Sequence, residues 1–388
     1  MRSPARAVAT LVTSLVAAGC GIFPPVGELE VKRLDVAWAT ELYQLEEFAY
    51  HASDTGQPLY IRSMATPEAG LVVVPSKDRA VRGVDAADGR VVWEIRTQGP
   101  NAARPVAMGP EDVIVASMDG HVYRINPRNG RPQWVSDEPG TSMTASPVVA
   151  GTLADGSATV FVTSIDGRLV ALDGATGKRK WEQSRPLETE LSMTGQAGPA
   201  LVGKSVVTGF ADGHVVAYAQ EDGVTLWSTP LGGDKKEFVD VDTTPLLVTE
   251  GKQPMLLVGS FKRGLFGLTP DHGDVQWSIK GEGFQTGVAD GVVAYVPQSN
   301  GRVWAVEADT GSVRWIADLG TGWATTPMVS RKYVLVPAGD GLAVLDKGSG
   351  REHVRWNDGR AIKATPELAF GQAWVVASSG KLYALGVY

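Results

Sequence analysis

The chain has 388 residues and a formal net charge of -7, with 46 Gly, 11 Trp, 9 Phe, 5 His and 1 Cys. A single Cys excludes a disulfide framework and any multi-Cys metal centre. The five His (His51, His121, His214, His272 and His353) are too scattered for a ligand motif, and the acidic balance argues against nucleic acid, whose readers carry a basic face.

At the N-terminus, Arg2 and Arg6 precede an apolar run over 7–18. That run is shorter than the ~20 residues a bilayer requires, so it reads as a secretory signal. It ends Val16-Ala17-Ala18-Gly19-Cys20, which resembles a bacterial lipobox, although Ala17 stands where that pattern prefers Leu. The resemblance implies a signal peptide over 1–19 and a mature N-terminus at Cys20 carrying lipid, with 20–30 as the lipidated Cys and tether. Stable anchoring takes more than one acyl chain. Gly21 in place of Asp fits the outer membrane, with the protein facing the periplasm.

From 31 to 388 the chain is predicted to be a single all-β domain. No helical period is sustained; short β-rich runs bounded by Gly, Asp and Asn recur instead. The copies ending at Trp134, Trp181, Trp227 and Trp315 are the clearest. In each, an Asp-Gly or Asn-Gly pair marks a hairpin, and a second Gly stands four residues before the Trp. A shorter strand opens each unit, usually at a proline: Pro67, Pro105, Pro147, Pro199, Pro245, Pro327 and Pro366, with Gly287 in the sixth.

Eight tryptophans follow the repeat: Trp38, Trp93, Trp134, Trp181, Trp227, Trp277, Trp315 and Trp356. Their spacing of about 45 residues is a propeller-blade period. The expectation is an eight-bladed β-propeller of four-stranded antiparallel blades. Its last blade, split between Thr365–Tyr388 and the strand bearing Trp38, closes the ring. These tryptophans are read as packing residues between blades, opposite the small residues Gly83, Ala171, Ala217, Gly267 and Ala305. Trp304, Trp323 and Trp374 lie outside the repeat.

The run Ala171–Trp181 (ALDGATGKRKW) is similar to the repeat of pyrroloquinoline quinone (PQQ) dehydrogenase propellers and of the BamB family, lipoproteins of outer-membrane β-barrel assembly. Two segments resemble BamB more closely: Leu191–Pro199 (LSMTGQAGP), similar to a family segment of the form Leu-Ser-Leu-Arg-Gly-Glu-x-x-Pro, and Asp240-Val241-Asp242-Thr243-Thr244-Pro245. In that family the corresponding segments contact a periplasmic POTRA domain of the barrel-inserting protein, BamA. The resemblance therefore implies partner-binding roles for Leu191, Met193, Thr194, Asp240 and Asp242. Thr194 stands where the family has Arg, so its charge is lost. The local alternative is that both aspartates cap their own loop, with Leu191 and Met193 packed beneath.

Three functions compete at this level. The first is a non-enzymatic, monomeric scaffold of barrel assembly with no cofactor or metal, held at the outer membrane by lipid. The second is a propeller lipoprotein for another envelope partner or a polysaccharide. The third, a PQQ-dependent dehydrogenase, lacks the adjacent-Cys disulfide typical of those enzymes, and no nucleophile motif appears.

Overall fold

The computed structural model describes residues 34–44, 54–62, 70–137, 141–185, 197–231, 240–320 and 322–387. The expected signal peptide over 1–19 and the expected tether with Cys20 lie outside them, as do Leu191, Met193 and Thr194. The described residues form 32 strands in eight four-stranded antiparallel sheets, with no helix among them. The protein is an eight-bladed β-propeller.

The third blade shows how the sequence makes one unit. Its inner strand, Val148–Ala150, follows Pro147, and Thr159–Ser164, Arg168–Asp173 and Arg179–Ser184 follow in order. Gly167 turns the central hairpin at φ 78°. The Asp-x-x-Thr-Gly motif builds the last turn: Thr176 donates its amide and hydroxyl to Asp173 Oδ1 at 2.8 and 2.7 Å. Gly177, at φ 73°, donates its amide to the Asp173 carbonyl at 2.7 Å. A side chain at Gly177 would need a left-handed backbone that L-residues disfavour.

The remaining inner strands open as the prolines indicate, at Val106, Ala200, Leu246, Met328 and Glu367, and at Val288 after Gly287. The first blade differs. Its inner strand is Leu59–Arg62, which follows Pro58 rather than Pro67. Pro67 falls between the first two strands of that blade, in the undescribed stretch 63–69. The eighth sheet joins Asp35–Glu41 to Lys381–Gly386, next to Gln372–Ala377 and Glu367–Ala369. Asp35 lies opposite Gly386 and Glu41 opposite Lys381, which closes the ring and leaves neither chain end an open blade.

The core lies between blades. Each of eight apolar clusters joins two neighbours; Val73, Val81 and Trp93 of the first blade, for example, meet Val113, Val115 and Ile125 of the second. In every outer strand the register shifts by one residue, a β-bulge that turns the next side chain toward the following blade. Trp38, Trp93, Trp134, Trp181, Trp227, Trp277 and Trp315 occupy that position. The indoles of Trp93, Trp181 and Trp277 donate to the carbonyls of Pro127, Gln220 and Ala308 on the next blade at 2.7, 3.0 and 2.9 Å. The predicted small partners are in register: Gly83 opposite Trp93, Ala171 opposite Trp181, Ala217 opposite Trp227, Gly267 opposite Trp277 and Ala305 opposite Trp315.

Trp356 departs from this pattern. In the seventh blade Val354 follows the bulge, opposite Val344, and Trp356 stands two residues further along, opposite Leu342. It still reaches the eighth blade, meeting Tyr383 edge-on at 4.8 Å between ring centroids. Of the unassigned tryptophans, Trp374 is buried and stacks on Tyr60 at 4.9 Å, Trp304 donates to Gln298 Oε1 at 2.8 Å, and Trp323 carries Lys363 over its ring at 5.1 Å.

Candidate partner-docking face

The described stretches that lead from an outer strand to the next inner strand lie on the same face as the central hairpin turns. Asp240–Pro245 is such a link, leading into Leu246–Val248 of the fifth blade. Its backbone is held from both sides. Val241 donates its amide to the Phe210 carbonyl at 3.1 Å, and Phe261 donates to the Asp240 carbonyl at 3.0 Å. Thr243 and Gly259 bond reciprocally: the Gly259 amide reaches Thr243 Oγ1 at 2.7 Å, and that hydroxyl reaches the Gly259 carbonyl at 3.2 Å. Thr244 ties three blades together. It accepts from the Gly198 amide at 2.9 Å and donates its own amide to Thr286 Oγ1 at 3.0 Å. Both threonines of the motif therefore hold backbone, which accounts for hydroxyls at these two positions.

The alternation of the link separates its side chains. Val241 is buried, so close to Gly209 that a Cβ there would lie 2.4 Å from Val241 Cγ1. Asp240 and Asp242 line a cleft of about 30 Å³ with Ser164, Ile165, Arg168 and Phe210. Asp240 is 5% exposed. Asp242 Oδ1 is buried and has no hydrogen-bond partner among the described residues. Loss of solvent, and then the neighbouring Asp240 charge, push the Asp242 carboxyl up to about 6, against the opposing pull of its own backbone amide. A loop-capping aspartate would spend its oxygens on nearby amides. Asp242 leaves Oδ1 buried and without such a partner among the described residues.

One feature of this face went unmarked in the sequence. Ile165, at the tip of the central hairpin of the third blade, is 54% exposed beside the cleft. The signal was an apolar residue in Ser164-Ile165-Asp166-Gly167, a turn whose tip has no core to face. Met118 holds the same place in the second blade, in Ser117-Met118-Asp119-Gly120, and is also exposed. Among the described residues no group of three or more His, Cys, Asp and Glu could hold a metal ion.

Comparison with known proteins follows the same lines. The family model described as "Outer membrane protein assembly factor BamB" matches residues 36–158, 145–317 and 300–387. Proteins of that name from Shigella dysenteriae and Escherichia coli K12 are each 30% identical over 332 residues, covering 81% of this chain and 82% of their own. Among solved structures, BamB from Moraxella catarrhalis superposes with a TM-score of 0.73 at 19% identity, covering 91% of this chain and all of its own. A quinohemoprotein alcohol dehydrogenase from Comamonas testosteroni superposes at 0.68 with 14% identity over 92% of this chain and 77% of its own, a likeness of fold alone. With the family model spanning nearly every blade, the chain belongs to the BamB family of outer membrane protein assembly factors.

Proposed function

We propose that this protein is a non-enzymatic scaffold of outer-membrane β-barrel assembly that binds a POTRA domain of the barrel-inserting protein, BamA. Asp240 and Asp242 supply the acidic part of the contact, and Leu191, Met193 and Thr194 its apolar and polar flank. Cys20 carries the lipid that holds the protein at the periplasmic side of the outer membrane. The observation that carries the docking site is the orphaned Asp242 Oδ1 on a loop whose backbone is fixed by three neighbouring blades. A buried acceptor without a partner costs stability, so its retention is best accounted for by a donor on a bound protein.

The test is capture of this protein by the periplasmic domains of the barrel-inserting partner. Asp240→Ala combined with Asp242→Ala should weaken capture at least tenfold while the melting transition stays cooperative. Undiminished capture by the double variant would remove the aspartates from the interface. Metabolic labelling with palmitate, compared between the native chain and Cys20→Ala, tests the lipid separately.

A further inference from the structure

The opposite face of the propeller carries a second surface, away from the proposed docking loop Asp240–Pro245. Glu367–Ala369 and Gln372–Ala377 are joined by Phe370 and Gly371, at φ 50° and 73°. Two successive positive φ values suit a tight hairpin that favours Asn-Gly, and a bulky residue at the first position is an outlier. Phe370 is nevertheless 65% exposed at the tip. Such outliers persist where the surroundings fix them, and they mark functional sites.

Phe370 stands at the edge of a groove of about 410 Å³, lined also by Val329, Leu368 and Val387 and by the cations Arg331 and Lys332. Arg62 lies over the Phe370 ring at 5.7 Å. All three cations are exposed, and none forms an ion pair among the described residues. Other turns on this face carry exposed cations as well, Lys178, Lys204 and Lys252 among them, beside acids such as Asp85 and Asp173; this groove combines its cations with the exposed Phe370 ring. The chain also enters the propeller here: Asp35 pairs with Gly386, next to Val387 of the groove, fifteen residues after Cys20.

We infer that this groove is a membrane-contact site, where Phe370 inserts among the headgroups of an anionic phospholipid bilayer while Arg62, Arg331 and Lys332 pair with lipid phosphates. An exposed aromatic ringed by cations at the end of a rigid hairpin is the composition that interfacial contacts use. The inference rests on the lipoprotein reading for its choice of a bilayer over a protein as occupant. Such a contact orients the propeller relative to the bilayer.

The test uses the chain beginning at residue 21, which lacks the acyl chains; every described strand lies beyond residue 34, so no blade is lost. Co-sedimentation with vesicles containing phosphatidylglycerol should exceed that with phosphatidylcholine vesicles and fall at high salt. Phe370→Asn, which suits the turn better and so keeps the fold, should reduce binding roughly tenfold, as should Arg331→Glu with Lys332→Glu. Equal binding to both vesicle types, or binding that survives Phe370→Asn, overturns the inference. Loss of a co-purifying envelope protein in Phe370→Asn, with vesicle binding unchanged, would also overturn it and assign the groove to a protein. Palmitate labelling of Cys20 reports independently on the anchor.

Discussion

The indole of Trp93 in the first blade lies so close to Gly130 of the second that a Cβ on Gly130 would stand 2.6 Å from Trp93 Cε3. The same relationship links Trp38 to Gly89, Trp134 to Gly177, Trp181 to Gly223, Trp227 to Gly273, Trp277 to Gly311 and Trp315 to Gly350. Each Gly is the one four residues before a bulge position, so the repeat motif encodes both halves of every joint. Gly130 also sits at φ 70°. Gly130→Ala should therefore cost about 2–4 kcal/mol, from left-handed strain plus overpacking. Trp93→Ala, which empties the joint, should cost about 3–5 kcal/mol. The double variant should cost less than the sum, because the clash disappears with the ring. Urea unfolding of the four proteins measures this; strict additivity would mean that the two residues do not share a joint.

The ring closes through a strand from the other end of the chain. Besides its pairing with Lys381–Gly386, this strand is fastened where Trp38 donates to the Ala86 carbonyl at 3.1 Å and Leu42 to the Gly380 carbonyl at 2.8 Å. Tyr43 continues past it to Asp54 Oδ2 at 2.8 Å. A chain beginning at residue 45 should leave Lys381–Gly386 as an open sheet edge and associate at concentrations where the full chain is monomeric. A chain beginning at residue 34 should remain monomeric and melt within about 3 °C of the longer protein. Size-exclusion chromatography and thermal melts distinguish the two. A monomeric, cooperatively folding chain from residue 45 would contradict the closure.

The blade count and the closing strand were legible because tight turns and bulge positions impose residue types: Gly where φ is positive, Trp where a flat ring spans a gap. Where the physical demand is looser, the sequence misled. Trp356 lies near the repeat spacing, but Gly350 stands six residues before it and four before Val354, the residue that follows the bulge. Pro67 fits the proline rule of the other blades, yet the inner strand of the first blade, Leu59–Arg62, follows Pro58. At the docking face the sequence alone left Asp242 open between capping and binding. Only the folded loop shows that the amides of Val241 and Thr244 are committed to Phe210 and Thr286. Ile165 and Phe370 could have been noticed as apolar residues at hairpin tips, but exposure depends on neighbouring blades that no single repeat contains.

The turn at Phe370 yields a prediction about stability apart from lipid. Phe370→Asn replaces a bulky left-handed residue with one that tolerates that region, and should raise stability by about 1 kcal/mol. The gain is limited because Phe370 also meets Tyr60 edge-on at 5.7 Å and carries Arg62. Phe370→Val should lower stability by about 1 kcal/mol, since a β-branched residue suits positive φ least. Thermal melts of the two variants test the pair; a destabilised Asn variant would show that ring contacts outweigh backbone strain.

Asp242 links stability to pH in the sense opposite to most carboxylates. Its folded value of about 6 lies above the ordinary 3.8, raised first by lost solvent and then by Asp240, so the fold prefers the protonated form. The stabilisation is fully present below the unfolded value and is lost as pH rises through about 6. The difference corresponds to about 3 kcal/mol between protonation states, reduced to about 1–2 kcal/mol by residual solvent at this partly exposed group. Asp242→Asn should therefore stabilise the free protein by about 1–2 kcal/mol near pH 7.5, change little near pH 4, and flatten the stability profile between them. The same substitution should weaken capture by the barrel-inserting partner at least tenfold, because the charge that strains the free loop is the charge a cationic donor requires. Urea midpoints at the two pH values, read beside the capture assay, decide it. A variant destabilised near pH 7.5 would show that Asp242 holds its own loop together rather than waiting for a partner.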